Sequence, residues 1–146
     1  MKKVVITSGF FNPVHVGHLN LIRDSKKIGD FLVVIVNNDN QVKTKGSVPF
    51  MAEKERLSII ENLKPVDAVF LSVDQDGTVA KSLEAIAQQY QGELYFAKGG
   101  DRNIDNIPEN EREVCQKYGI KVISGVGGGK VQSSSWLIKS VNNLKS

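Results

Sequence analysis

His15 and His18 stand three residues apart with Gly17 between them, and they are the only histidines in the chain. They lie in GFFNPVHVGHLNLI, Gly9 to Ile22, directly after an apolar run. Imidazoles at that spacing allow three readings. They are turn residues with no ligand; or they are an i, i+3 metal pair, for which no cysteine or adjacent carboxylate motif offers a third ligand; or they hold phosphate. For phosphate the setting is apt. Pro13 stiffens the turn and Gly17 lets backbone approach a ligand. His18 should fall in the first turn of a helix, where unpaired N–H groups and the helix dipole favour an anion. A histidine titrates near neutral pH, so the pair could be cationic when phosphate arrives and place positive charge on a transition state.

Such a turn needs a strand before it and a helix after it. KVVITS, Lys3 to Ser8, reads as a strand buried on both faces. A helix should follow near His18, its apolar stripe beginning at Leu19 and Ile22 and ending at Gly29-Asp30. The pattern then alternates. Strands are expected at FLVVIV (Phe31 to Val36), AVFL (Ala68 to Leu71), ELYFA and IKVIS (Ile120 to Ser124). Helices are expected from about Ala52 to Leu63, Val79 to Tyr90 and Glu109 to Tyr118, with a last one carrying Leu137, Val141 and Leu144. Alternating β and α units with apolar strands predict a single-domain, doubly wound, Rossmann-like α/β fold. Its five strands should form one parallel sheet spanning residues 1–146.

The loops are unequal. Those after Ser8, Val36, Ala97 and Ser124 are rich in Gly, Lys, Ser and Asp, while KIGD, KPVD, QGE and YGIK are short and bland. In a parallel sheet the first set lies at the carboxyl edge, where ligands bind.

The 146 residues, 40% hydrophobic and 24% charged, suit one globular domain. Net charge is +3 with no Lys/Arg block, which fits an anionic small substrate as well as nucleic acid and decides little; no nucleic-acid partner is expected. The longest apolar run is too short to span a bilayer, and MKKVVITSG lacks the form of a signal peptide. A soluble cytoplasmic protein with no membrane partner is expected. The single cysteine, Cys115, excludes an internal disulfide and reads as a small buried hydrophobe.

GFFNPVHVGH resembles the HxGH signature of the cytidylyltransferase-like nucleotidyltransferase superfamily. KKIGDFLVVIVNND, KTKGSVPFMAEKERLSII, AKGGD (Ala97 to Asp101) and SSSW (Ser133 to Trp136) follow in the family's order and spacing. The ordered set covers nearly the whole chain. It is similar to glycerol-phosphate cytidylyltransferases and to the adenylyltransferase domain of ADP-heptose synthases.

The resemblance implies attack of an acceptor phosphate on the α-phosphorus of a nucleoside triphosphate, with loss of pyrophosphate. The acceptor would be a small phosphorylated sugar, polyol or amino alcohol. Mg²⁺ would accompany the triphosphate, which supplies most of its ligands, and no metal site is assigned to the protein. His15, His18 and Lys45 would be catalytic, Lys45 being preferred to Lys43 because Gly46 adjoins it. Gly9, Phe10, Phe11, Lys43, Gly99, Asp101, Ser133, Ser134 and Ser135 would line the nucleotide, with His15 and His18. Asn12, Arg56, Arg102 and Lys130 would meet the acceptor. Several of these also allow an ordinary structural role. Arg56 could instead form a helix-surface ion pair with Glu53 or Glu55, the glycines and Asp101 a tight turn, and the serines a helix cap.

CTP is placed ahead of ATP, because small single-domain members acting on simple phosphorylated alcohols or sugars mostly use it. A homodimer is expected, through the edge carrying NNDNQVKTKGSVPF. The alternatives are a non-catalytic nucleotide-binding or regulatory protein of the same fold, or an adenylyltransferase of the heptose-phosphate, pantetheine-phosphate or NMN type. A class I aminoacyl-tRNA synthetase fragment is disfavoured by the length and the lack of a KMSKS-like segment.

Overall fold

A computed structural model describes residues 2–100 and 102–128 of the chain. Five strands, β1 (Lys3–Gly9), β2 (Phe31–Val36), β3 (Ala68–Leu71), β4 (Glu93–Ala97) and β5 (Lys121–Ile123), form one sheet in the order β3-β2-β1-β4-β5. Every pairing is parallel. The helices are α1 (Val16–Lys26), α2 (Asp39–Thr44), α3 (Glu53–Glu61), α4 (Ala80–Gln89) and α5 (Glu109–Tyr118). The expected doubly wound sheet is present.

β-Branched runs fix the central strands, because both faces of the sheet are covered. Val4, Ile6, Val33, Ile35 and Phe96 pack with Leu83 and Ile86 of α4 and Cys115 of α5. Val5, Val34, Val36 and Ala97 pack on the other face with Ile22 of α1 and Ile60 of α3. Alternate residues of one strand thus enter opposite cores, as the period of two demands. Cys115 belongs to the first core, where burial pushes its thiol up to about 11.

Three local expectations need correction. Leu19 is exposed, and the buried contact of α1 is Ile22. The polar segment after β2 is not all loop: Asp39–Thr44 is helical, with Asn38 as N-cap and Gln41 completing a capping box. The structure fixes tighter helix ends as well, since Val79 and Tyr90 only cap α4. The last expected helix lies outside the described residues. Among the described residues, no helix is long and apolar enough to cross a membrane.

The chain winds outward from β1 to β3, then returns to place β4 on the other side of β1. The connections leaving β1 and β4 therefore diverge and open a crevice at their carboxyl ends. The β1–β4 ladder runs only to Ile6 and Phe96; beyond it, Thr7 Oγ1 donates to the Ala97 carbonyl at 2.9 Å. The HxGH turn leaves one side of that crevice and Lys98, Gly99 and Gly100 the other.

Candidate active site

The histidines are built into the start of α1. His15 is its N-cap, and its Nδ1 accepts from the Gly17 N–H at 3.1 Å. His18 sits at the third helical position, and its Nδ1 accepts from the His15 N–H at 3.2 Å. This is a capping box made from two imidazoles in place of the usual hydroxyl and carboxylate. It has a chemical consequence. A neutral imidazole whose Nδ1 accepts must carry its proton on Nε2. Both rings are thereby assigned the tautomer that offers an Nε2–H donor. The rings stack with centroids 3.8 Å apart, and the buried Phe11 ring meets His18 edge-on at 4.8 Å.

Burial first, then the positive charge of His15 when protonated and that of Lys45, push the His18 imidazole down to about 3. The expectation that both histidines titrate near neutral pH is therefore corrected for His18. In the empty site it is a neutral hydrogen-bond donor, and an arriving anion would raise its basicity.

Lys45 is the C-cap of α2, and its Nζ lies 4.3 Å from the centre of the Phe10 ring. Lys43 is exposed in the last turn of that helix. Lys45 lies in electrostatic range of His18, where its charge lowers the imidazole's basicity. Gly9 ends β1, and a Cβ there would come within 2.7 Å of the Phe11 ring. Phe11, at φ 52°, is the sole non-glycine residue in the left-handed region among those described. Its side chain is buried beneath the turn, so only its backbone could touch a nucleotide.

Two residues expected to meet the acceptor are instead part of the frame. Arg56 is fully buried. Its Nε donates to the Met51 carbonyl, its Nη1 to the carbonyls of Phe10 and Asn37, and its Nη2 to Asp39 Oδ1, all within 2.6–2.9 Å. The surface ion pair with Glu53 or Glu55 is corrected as well, since the partner is Asp39. Asn12 is buried too. Its Nδ2 donates to the Val48 carbonyl at 2.9 Å, and its Oδ1 accepts from the Phe50 and Met51 N–H groups at 2.6 and 3.1 Å. Its amide is spent on fixing the loop opposite the histidines.

Across the crevice, the segments after β4 and β5 are stitched together. Lys98 N–H donates to the Ile123 carbonyl, Val126 N–H to Lys98 and Gly125 N–H to Gly100. At Gly127, φ 87°, a Cβ would meet the backbone of Leu21 at 2.9 Å, so this segment passes directly over α1. Gly99 lies in the stitched pair, and Arg102 is exposed beyond it. Asp101, Lys130, Ser133, Ser134 and Ser135 lie outside the described residues. Among the described residues, no three His, Cys, Asp or Glu side chains gather as a metal site. The histidine Nε2–H donors and the Lys45 ammonium suit phosphate oxygens rather than a cation, which fits a metal ion that a triphosphate would bring with it.

Sequence reasoning missed two residues here. Asp39 is the carboxylate that completes the Arg56 frame, and its signal was the NND run after β2. Lys98 follows β4, with its Nζ 4.6 Å from the Phe96 ring; burial pushes its ammonium down, against the opposing pull of Glu111. Burial likewise raises the Glu111 carboxyl, although its Oε2 accepts from the Val79 N–H at 3.0 Å.

A set of donors at a helix N-terminus, with a lysine beside it and a crevice opening past it, can bind a polyphosphate and neutralise charge building on one phosphorus. Comparison with known proteins agrees. The family described as cytidylyltransferase-like matches residues 6–140. FAD synthase of Thermoplasma acidophilum is 33% identical over 96% of this chain and 94% of its own length. The bifunctional protein HldE of Desulfatibacillum aliphaticivorans is 31% identical over 97% of this chain, which corresponds to 27% of that longer protein. Among solved structures, the lipopolysaccharide core biosynthesis protein of Thermoplasma volcanium superposes with a TM-score of 0.70 at 28% identity. That match covers 89% of this chain and 100% of the other.

Proposed function

The chain belongs to the cytidylyltransferase-like family of nucleotidyltransferases, and on that premise we propose that it is an adenylyltransferase that joins ATP to FMN to give FAD and pyrophosphate. The reaction class is carried by one observation, the stacked pair of histidines whose Nδ1 atoms are both occupied by backbone donors. ATP and FMN are supported by the likeness to FAD synthase along nearly the full length of both chains. That likeness moves the nucleotide from CTP, placed first on sequence grounds, to ATP. FMN is itself a phosphorylated polyol bearing a flat ring system, so the acceptor stays within one of the expected classes.

In the step proposed, a terminal phosphate oxygen of FMN attacks the α-phosphorus of ATP. The new O–P bond forms as the bond to the bridging oxygen breaks, and pyrophosphate leaves with its electron pair. The nucleophile is already ionised, so no general base is required. Positioning and charge neutralisation are what the protein must supply. His15 and His18 donate through Nε2–H to the triphosphate oxygens, and Lys45 adds a full positive charge beside them. Asn12, Arg56 and Asp39 hold the two loops that carry these groups. Mg²⁺ would enter as the complex of ATP and offset the charge on the leaving pyrophosphate.

The test is product analysis. Purified protein incubated with FMN, Mg²⁺ and either ATP or CTP should form FAD with ATP alone. A cytidylylated product, or transfer from ATP to a sugar phosphate but not to FMN, would overturn the assignment of the substrates while leaving the reaction class.

A further inference from the structure

Most of the segments at the carboxyl edge are polar, and the one that joins α2 to α3 is the exception. It runs Gly46-Ser47-Val48-Pro49-Phe50-Met51. Val48 is 76% exposed and Phe50 67% exposed. Single exposed apolar side chains are ordinary on protein surfaces. These two stand two residues apart on a backbone that the catalytic turn itself holds. Asn12, three residues before His15, makes all three of its hydrogen bonds to this segment, at the Val48 carbonyl and at the N–H groups of Phe50 and Met51. This anchor fixes an apolar surface relative to the histidines, so little ordering is required when a ligand lands on it.

The same stretch carries Lys43 and Lys45 just before the apolar pair, with Lys45 drawn over Phe10. Cations at one end and exposed apolar side chains at the other complement a ligand with the same polarity, anionic at one end and apolar at the other. A phosphorylated sugar or simple polyol has no apolar body to offer. We propose that Val48 and Phe50 dock the flat ring system of the acceptor and so select flavin-bearing phosphates over sugar and polyol phosphates. The inference rests on the reading of this chain as an FMN adenylyltransferase. Val48 and Phe50 set specificity in it, and they take no part in the chemistry at phosphorus.

The test compares wild type with Phe50→Ser, Val48→Ser and Phe50→Trp, all at exposed positions where folding is not at risk. Steady-state kinetics are run with ATP and FMN, and binding is followed by flavin fluorescence. Phe50→Ser should raise the KM for FMN by about ten- to a hundredfold, the scale of losing one buried aromatic contact, with the KM for ATP within about twofold. Phe50→Trp should keep FMN affinity and quench flavin emission on binding, since an indole stacked on the ring is an efficient quencher. Serine variants that retain the wild-type KM for FMN, or a tryptophan variant that binds FMN without quenching, would overturn the proposal while the substrate reading stands. A wild-type protein that makes no FAD would remove both, and it is seen before any variant is compared. Light scattering supplies the remaining outcome. If Phe50→Ser turns a dimer into a monomer with FMN kinetics unchanged, the patch is a self-association surface and the proposal fails.

Discussion

Asn12 and Arg56 meet at Met51. Asn12 Oδ1 accepts from the Met51 N–H at 3.1 Å, and Arg56 Nε donates to the Met51 carbonyl at 2.9 Å. Arg56 also reaches the Phe10 carbonyl, two residues before Asn12. Two buried polar side chains thus lock the histidine turn to the head of α3, and neither has surface to spare for substrate. The positions of His15 and His18 relative to Lys45 depend on this lock, because the lysine and the histidines come from different loops.

Arg56 should accordingly be the most sensitive position of the frame. Arg56→Lys puts one point charge where a planar fork makes four hydrogen bonds, and leaves buried carbonyls and Asp39 without partners. Leaving such buried groups unpaired costs about 1–3 kcal/mol each. Chemical denaturation should show most of that loss for Arg56→Lys, and a smaller one for Asp39→Asn, since the Asp39 side chain keeps 29% of its surface in water. Equal stability of Arg56→Lys and wild type would show that the guanidinium network adds nothing to the fold.

The fold was readable from the sequence because the signals that set it are local. FLVVIV leaves no polar face, so it had to be a central strand covered on both sides, and it pairs in register with β1 from Val4–Phe31 to Gly9–Val36. The histidine turn was readable because two rare residues stood at fixed spacing after a strand. The state of the histidines was not readable. That both Nδ1 atoms are occupied depends on the N-cap geometry of His15, and the depressed His18 depends on burial by tertiary packing. Asn12 and Arg56 were misread for the same reason. An arginine near the start of a charged helix reads as solvated or substrate-facing, and only the approach of β1 and β2 encloses it. The short helix α2 was missed because NDNQ looks like a turn, although Asn38 and Gln41 at N-cap and third position are a capping pair.

Acidification should weaken the ligand-free protein through His18. Its folded value is about 3 against 6.5 for the free side chain. Between those values the unfolded chain takes up a proton that the folded chain refuses, so stability falls as pH drops below 6.5. The limiting slope for one proton is about 1.4 kcal/mol per pH unit, and partial solvation of the ring will reduce it. His18→Asn lacks the titrating ring, so its thermal midpoint should fall less steeply from pH 6.5 to 4. Wild-type and variant curves that run parallel would count against the depressed value. Saturating ATP should flatten the wild-type curve, since phosphate favours the protonated ring.

The same variant separates scaffolding from catalysis. Asparagine can still offer an oxygen to the His15 N–H, so the helix cap survives, but no donor remains where Nε2–H stood. Single-turnover rates of His18→Asn should fall about a hundredfold or more, as the loss of one donor to developing transition-state charge does. Melting at neutral pH should shift little. A variant that melts far below wild type but turns over normally once folded would make His18 a structural residue.

The choice of nucleotide is the finest distinction in the proposed function, and the described loops narrow where it can be made. Adenine is recognised by groups that meet N1 and the 6-amino group, cytosine by groups that meet O2 and the 4-amino group. Around the crevice the backbone N–H groups of Lys98, Gly125 and Val126 are already bonded to Ile123, Gly100 and Lys98. They hold the two loops together and have nothing left for a base edge. Selection must then fall to other groups of the site, and the likeness to FAD synthase along both chains is what favours adenine. ATP with Mg²⁺ at about a hundred times its dissociation constant should stabilise the fold by about 2.7 kcal/mol, a rise of roughly 5–10 °C in the thermal midpoint for a domain of this size. CTP at the same concentration should give a small fraction of that rise. A CTP shift equal to or larger than the ATP shift would return the chain to cytidylyl transfer, with the histidine chemistry intact and FMN lost as acceptor.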